Sequence, residues 1–167
     1  MNLYDHADAL IHSGDAERVR EGVERLRQHA DAHPDDAVAW FQYGGGLDYT
    51  DHEAEAMVAY ECAFALGVEG LDPDDRPRIY VQAGSTLRNL GRLDEARTLL
   101  KAGQTRFPGV RALIVFQALV EVSAGRDRAA IDLLFEVILS EGAGDDSIAQ
   151  YTRALSYYAN EVRSILP

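Results

Sequence analysis

The chain has 167 residues, 47% of them hydrophobic, and a net charge of −12 at neutral pH. This composition can form the core of one domain or of one short repeat array, whereas the acidic balance argues against a nucleic-acid partner, because binding to phosphates needs a basic surface. The single cysteine excludes an internal disulfide framework and is typical of a reducing compartment.

The apolar segments predict neither a secretory signal nor a membrane span. The residues after Met1 have no basic start and no apolar run. The most apolar stretch, residues 112–122, is interrupted by Gln117 and Glu121 and is too short to cross a bilayer. We therefore expect a soluble, cytoplasmic protein without a membrane partner.

Charge is distributed along the chain in blocks. Residues 35–75 contain eleven acidic residues and no lysine or arginine, whereas residues 76–111 contain eight basic residues and two acidic ones. Because the two blocks are adjacent in sequence, we expect an acidic surface to lie beside a basic one.

The first 34 residues predict two helices. Apolar residues recur at helical spacing from Leu3 to Ile11 and stop before Gly14. Asp15 can cap a second helix that extends to Pro34 and that carries charged residues opposite its apolar stripe.

Residues 35–67 predict a second helix pair. Its first helix carries the pattern Trp40-x2-Tyr43-Gly44-x2-Leu47, and its second helix carries Ala56-x3-Tyr60. Small residues at such positions let two helices approach closely, and the aromatic side chains fill the space between them. Residues 68–76 are rich in aspartate and proline, and we expect this insertion to form a loop.

Residues 77–108 contain the clearest helix pair. Ala83-Gly84 and Leu87 lie on the helix that begins at Pro77, and Gly91 separates that helix from one that carries Ala96-x3-Leu100; Pro108 ends the unit. Residues 109–141 predict another pair, with Gly125 standing 34 residues after Gly91. Residues 142–167 predict a final capping helix, whose apolar stripe consists of Ile148, Tyr151, Leu155, Tyr158, Val162 and Ile165.

This spacing resembles that of tetratricopeptide repeats, in which Trp-x2-Leu-Gly-x2-Tyr, Ala-x3-Phe and a terminal Pro recur about every 34 residues. The resemblance covers residues 37–140 and is strongest to small stand-alone bacterial members of the family. It implies an all-α fold: a right-handed antiparallel α-α superhelix, or solenoid, of about nine helices. Three to four repeats and the cap would form a single domain, with residues 1–34 as a diverged first repeat.

No group of residues predicts an active site. His29 and His33 have a spacing that can hold zinc, but no third ligand follows them. His52-Glu53 begins like a metalloprotease motif, yet Ala56 stands where that motif needs its second histidine. Cys62 lies in an apolar helix without an activating neighbour. We therefore predict no metal, no cofactor and no enzymatic activity.

Three consecutive glycines, residues 44–46, stand inside a predicted helix. Gly44 occupies a packing position of the repeat pattern. Gly45 and Gly46 have no such role in the pattern, and each costs a helix about 1 kcal/mol relative to alanine. Either the glycines reflect sequence drift or local fraying of the helix, or they form an open floor that the backbone of a partner approaches closely.

The resemblance also implies a groove, because in this family the first helix of each pair lines a concave surface on which partners bind. We expect the helix from Pro77 to present Arg78, Val81, Ser85, Arg88 and Asn89 there. The preceding first helix would present Phe41, Gly45, Asp48 and Tyr49, and the following one Val115, Leu119 and Val122, so that the groove is charged in the middle and apolar at one end. Since arginine binds carboxylates through paired hydrogen bonds, an acidic peptide could dock on this face. Alternatively, Arg78 and Arg88 only balance the negative charge of the neighbouring acidic residues 35–75.

The predicted function is that of a non-catalytic protein–protein interaction module, a scaffold or adaptor that binds a peptide or partner segment in its concave groove. The carboxylate clamp of chaperone-binding members is absent, since the corresponding positions hold Tyr4, Asp8, Phe41 and Gly45. Two alternatives stay open. The chain could self-associate into a homo-oligomer through its acidic and basic blocks, or it could be a small acidic chaperone for an exported client.

Overall fold

A computed structural model of the chain describes residues 2–139 together with residues 153, 154 and 157. This part is all-helical. It contains eight α-helices: α1 (Leu3–Ile11), α2 (Ala16–Ala32), α3 (Ala37–Tyr49), α4 (Glu53–Leu66), α5 (Asp75–Asn89), α6 (Leu93–Arg106), α7 (Arg111–Ser123) and α8 (Asp127–Leu139).

The helices form pairs that stack into a solenoid. α1 packs on α2, α3 on α4, α5 on α6 and α7 on α8, and successive pairs meet through α2–α3, α4–α5 and α6–α7. The first helices of the pairs also contact one another, since α1 lies against α3, α3 against α5, and α5 against α7. These four helices therefore share one face, and the predicted all-α repeat architecture is confirmed.

The insertion between the second and third pairs is ordered. It contains a short 3-10 turn, Val68–Gly70, and α5 begins at Asp75 rather than at the predicted Pro77. Val68 and Leu71 are buried in the main core and anchor this segment. The predicted capping helix, residues 142–167, lies outside the described residues except at 153, 154 and 157.

Local sequence signals set the ends of the helices. Asp15 caps α2, as predicted, because its side chain accepts hydrogen bonds from the backbone N–H groups of Glu17 at 2.9 Å and Arg18 at 3.0 Å. The turns within three of the pairs contain a glycine in the left-handed region, with φ of 75°, 74° and 69° at Gly14, Gly91 and Gly125. In the α3–α4 turn, Asp51 adopts this conformation, with φ of 60°.

Glycines on the first helix of a pair let the second helix approach closely. A Cβ atom at Gly44 would lie 2.6 Å from the ring of Tyr60, which is fully buried. A Cβ atom at Gly84 would lie 2.7 Å from Leu100, which is equally buried. The two contacts occupy equivalent positions of successive repeats, so the packing role predicted for Gly44 is confirmed.

The next two glycines, Gly45 and Gly46, differ in how closely other atoms pack against them. A Cβ atom at Gly46 would lie 3.0 Å from Leu26 and 3.3 Å from Ile11, so Gly46 has a packing role against the first pair that the sequence pattern did not indicate. A Cβ atom at Gly45 would meet nothing within 4 Å. Since α3 is continuous through all three positions, the interpretation of local fraying is wrong.

Most arginines of residues 76–111 bond to groups of the same molecule. Arg97 Nε lies 2.7 Å from Glu121, and Arg106 pairs with Glu69 of the acidic block. Arg76 donates to the carbonyl oxygens of Leu71 and Glu69. The acidic and basic surfaces therefore lie beside each other within one chain.

Candidate partner-binding groove

The face shared by α1, α3, α5 and α7 contains a groove with a volume of about 910 Å³. A volume of this order accommodates several side chains of a bound segment. Of the residues predicted for this face, eight line the groove: Gly45, Asp48, Tyr49, Arg78, Val81, Ser85, Arg88 and Asn89. Val115, Leu119 and Val122 of α7 are not among the lining residues.

Phe41, which was also predicted for this face, lies in the core instead. Its side chain is 3% exposed, and its ring centre is 6.3 Å from that of Tyr60 on α4. The prediction grouped Phe41 with Gly45 because they are four residues apart. Four residues turn a helix by about 40° more than one full turn, and this offset directs Phe41 toward α4 while Gly45 faces the groove.

Arg88 links α5 to α7. It is buried, its Nε donates to Ser123 Oγ at 2.7 Å, and the same nitrogen lies 3.3 Å from the carbonyl oxygen of Leu119. These bonds hold the guanidinium against the wall of the groove. Substitution of Arg88 would therefore change the packing of α5 on α7 as well as the charge of the groove.

Arg78 is the more accessible of the two arginines. Its Nη1 lies 2.5 Å from the carboxylate of Asp75, and 38% of its side chain is exposed. Arg78 Nε and the Oε1 atom of Gln82, which also lines the groove, are buried and have no hydrogen-bond partner within the described residues. Buried polar atoms without a partner are rare in folded proteins, and in this arrangement of the groove neither atom is reached by solvent.

Asp48 is a half-buried carboxylate in the same groove. Its Oδ1 lies 2.7 Å from the hydroxyl of Thr86, across the contact between α3 and α5. Burial raises the pKa of Asp48 to about 6, assisted by the negative charges of Glu53 and Asp51 and opposed by the hydrogen bond from Thr86. Helical spacing predicts that Asp48 lies on this face, but it does not predict its burial, which depends on the contact with α5.

We expect Asp48→Asn to stabilise the protein at about pH 7.5 and to have little effect at about pH 4.5. The pKa of Asp48 is higher in the folded state than in the unfolded state, so the folded state loses stability as the pH rises from about 4 to 6. At pH values above this range, removing the ionisable group should raise the free energy of unfolding by about 1–3 kcal/mol. Urea denaturation at both pH values measures the effect.

The control for this experiment is Asp132→Asn, which changes an exposed carboxylate on α8. It should alter the free energy of unfolding by less than about 0.5 kcal/mol at either pH. A loss of stability at about pH 7.5 on Asp48→Asn would contradict the assignment of a buried, destabilising charge.

The groove is electrostatically divided. Besides Asp48 of α3, the groove is lined by Asp8 of α1, by Asp51 in the α3–α4 turn and by Glu53 at the start of α4. The guanidinium groups of Arg78 and Arg88 lie on α5. A segment complementary to the whole groove would therefore carry both an acidic and a basic group.

The described residues contain no group of three or more His, Cys, Asp or Glu side chains that could hold a metal ion. The rings of His29 and His33 are 4.2 Å apart, and Nδ1 of His33 lies 2.9 Å from the carbonyl oxygen of His29. One ring nitrogen of this pair is thus directed at its own helix. In the same part of the chain, no helix has the length and apolar character needed to cross a bilayer.

Comparison with known proteins identifies the repeat. A family model described as "Tetratrico peptide repeat" matches residues 37–162, which is more than half of the chain. The match begins at α3 and leaves out α1 and α2. No curated protein matches the chain.

Proposed function

The chain belongs to the tetratricopeptide repeat family, and from this premise we propose that it is a non-catalytic module that binds a segment of another protein in the groove of α1, α3, α5 and α7. The family as such suggests protein–protein interaction. The observation that carries the proposal is the groove itself, which brings together residues of four helices on one open face.

The α5 side of the groove favours the binding of an acidic group of the partner. Arg78 bonds to Asp75 through Nη1, and 38% of its side chain is still exposed. Arginine forms strong paired hydrogen bonds with carboxylates. Asn89 is exposed about three turns further along the same helix and can bond to the backbone of the ligand. We therefore propose that a carboxylate of the partner binds at Arg78.

The α3 side supports close approach of the partner's backbone. Gly45 has open space where its side chain would be, so a bound chain can reach the surface of α3 there. Tyr49 lies one turn later and lines the same groove. Tyrosine is enriched among the residues that contribute most to binding, because its ring gives a large contact area and its hydroxyl a hydrogen bond.

The variant Gly45→Arg tests the proposal. An arginine at position 45 would project into open space, so we expect the fold to survive and the groove to be blocked. Affinity capture from native lysate should then recover at least about tenfold less of a stoichiometric partner than the wild type recovers, a loss of the size seen at interface centres. Far-ultraviolet circular dichroism checks the fold of the variant.

The matched control is Val58→Arg, which adds the same side chain to α4. Val58 is 59% exposed and lies outside the groove. Loss of the partner from Gly45→Arg together with its retention by Val58→Arg is the expected result. Retention of the partner by both variants would show that binding occurs on another face.

The hydrogen bonds and ion pairs that the arginines of residues 76–111 form within the chain weigh against the alternative of self-association. Arg76, Arg92, Arg97 and Arg106 already bond to oxygen atoms of their own chain, so less charge is available to a second copy. A dimer at low salt that dissociates at high salt would nevertheless support that alternative. The chaperone alternative predicts that the captured partner is an exported protein.

A further inference from the structure

Asp48 lies in the groove at the point where α3 and α5 meet. Each of these two helices has a larger contact with α4 than with the other. The hydrogen bond between Asp48 and Thr86 crosses the smaller contact, and Thr86 is fully buried. A separation of α3 from α5 that keeps both helices packed on α4 would therefore widen the groove and expose the Asp48 carboxyl group to water.

The Thr86 hydroxyl has two acceptors and one proton. Its oxygen lies 2.7 Å from Oδ1 of Asp48 and 2.9 Å from the carbonyl oxygen of Gln82, and a hydroxyl can donate only one hydrogen bond. Both contacts are hydrogen bonds only when Asp48 is protonated and donates to Thr86, which then donates to Gln82. An ionised Asp48 leaves this buried chain of hydrogen bonds one proton short.

The surroundings of Asp48 also favour the protonated carboxyl group. Burial raises the pKa of Asp48 to about 6, and the negative charges of Glu53 and Asp51 add to this rise. The hydrogen bond that Thr86 donates to an ionised Asp48 opposes the rise, but burial outweighs it. The closed contact between α3 and α5 is therefore most favourable when the proton is bound.

No cation within the described residues forms an ion pair with Asp48 that would stabilise its charge. Neither α2 nor the 3-10 turn contributes a charged side chain to the groove. The charged or titratable side chains that line it besides Asp48 are Tyr4, Asp8 and His12 of α1, Tyr49 of α3, Asp51 of the α3–α4 turn, Glu53 of α4, Arg78 and Arg88 of α5, and Arg153 and Tyr157. Hydration is therefore the remaining way to stabilise an ionised Asp48.

We propose that the carboxyl proton of Asp48 controls the width of the groove: α3 and α5 stay in contact while this proton is bound, and they separate when it is lost. Because the closed contact raises the pKa of Asp48 above its ordinary value of 3.8, that contact loses stability as the pH rises from about 4 to about 6. The relevance to binding rests on the proposed function, since α3 and α5 carry the residues proposed to hold the partner. The movement itself needs no partner.

Distances between spin labels test the movement on the protein alone. In a Cys62→Ala background, one nitroxide is attached at Ala9→Cys on α1 and the other at Asp132→Cys on α8, two exposed positions on either side of the α3–α5 contact. Double electron–electron resonance measures their distance at about pH 5 and about pH 7.5. We expect the mean distance to be longer at the higher pH by at least about 2 Å, the size of helix shifts at interfaces.

Two variants and a second pair of labels isolate the role of Asp48. Asp48→Asn keeps a side chain that donates to Thr86 and carries no charge, so it should give the shorter distance at both pH values. Asp8→Asn removes another carboxylate of the groove and should leave the shift intact. Labels at Lys101→Cys on α6 and Asp132→Cys on α8 lie on one side of the contact and should show no shift.

Each other outcome overturns the inference. An unchanged distance in the wild type would show that the contact does not respond to the proton, and this comparison needs no substitution in the groove. A shift that persists in Asp48→Asn would assign the movement to another group. An equal shift between the labels on α6 and α8 would indicate a general loosening of the protein. The proposed function is decided separately, by the lysate capture with Gly45→Arg.

Discussion

Replacing Glu121 by alanine is expected to lower the free energy of unfolding by about 2–4 kcal/mol. Glu121 lies on α7, and its carboxylate is 5% exposed. One oxygen is 2.7 Å from Arg97 Nε on α6, and the other is 2.5 Å from Arg126 Nε at the start of α8. The residue therefore ties three helices of two repeats together.

The size of the expected loss follows from the burial of the partners. Only 22% of the Arg97 side chain is exposed, and its Nη2 already has no hydrogen-bond partner within the described residues. Without Glu121, a second buried donor on Arg97 would lose its acceptor, which is costly for a charged group. Arg126 is 46% exposed and can be rehydrated, so we expect less than the full cost of breaking a deeply buried ion pair.

Urea denaturation of Glu121→Ala measures this prediction, with Glu21→Ala as the control. Glu21 forms an ion pair of similar length, 2.7 Å, with Arg25 on α2, but both side chains are about half exposed. Exposed pairs of this kind contribute less than about 1 kcal/mol. Similar losses in the two variants would mean that Glu121 does not act as a buried link between the helices.

Alanine substitutions at Gly44 and Gly45 are expected to change stability in opposite directions. Gly44→Ala should lower the free energy of unfolding by about 1–3 kcal/mol, because the new methyl group would overlap the ring of Tyr60. Gly45→Ala should raise it by about 0.5–1 kcal/mol, because alanine favours the helix and meets no atom within 4 Å. Since both glycines lie inside α3, each substitution gains the same helix propensity, and the difference between them isolates packing.

Thermal and urea unfolding of the two variants test this prediction. A double-mutant cycle with Tyr60→Leu identifies the atoms that clash: in that background, Gly44→Ala should cost measurably less than it does beside Tyr60. Destabilisation by Gly45→Ala of the same size as by Gly44→Ala would show that residue 45 is packed. In that case Gly45→Arg could no longer serve as a groove-blocking variant.

The positions of the helices were predictable because they depend on residues that are close in sequence. The Asp15 cap and the left-handed turn at Gly91 involve partners within one or two turns, so their patterns are visible without a structure. The 34-residue spacing then indicated the stacking of pairs, since one repeat cannot bury its apolar face alone. Eight of the residues predicted for the groove lie on the face that this stacking leaves open.

The remaining features depend on contacts between residues that are far apart in sequence. Helical spacing could not separate Phe41 from Gly45, because a small rotation of α3 decides which of them faces α4. The raised pKa of Asp48 requires burial against α5. The contact of Arg153 with the ring of Tyr49 joins two residues that are far apart in the sequence.

The sequence by itself determined the helices, their pairing and the family of this protein, because repeat spacing, caps and turn glycines act locally and recur. Only the tertiary structure decided which side chains are buried in the groove and which of them meet across it. Burial and electrostatic environment are properties of the packed chain, and they depend on the distance and orientation of helices that no local pattern specifies.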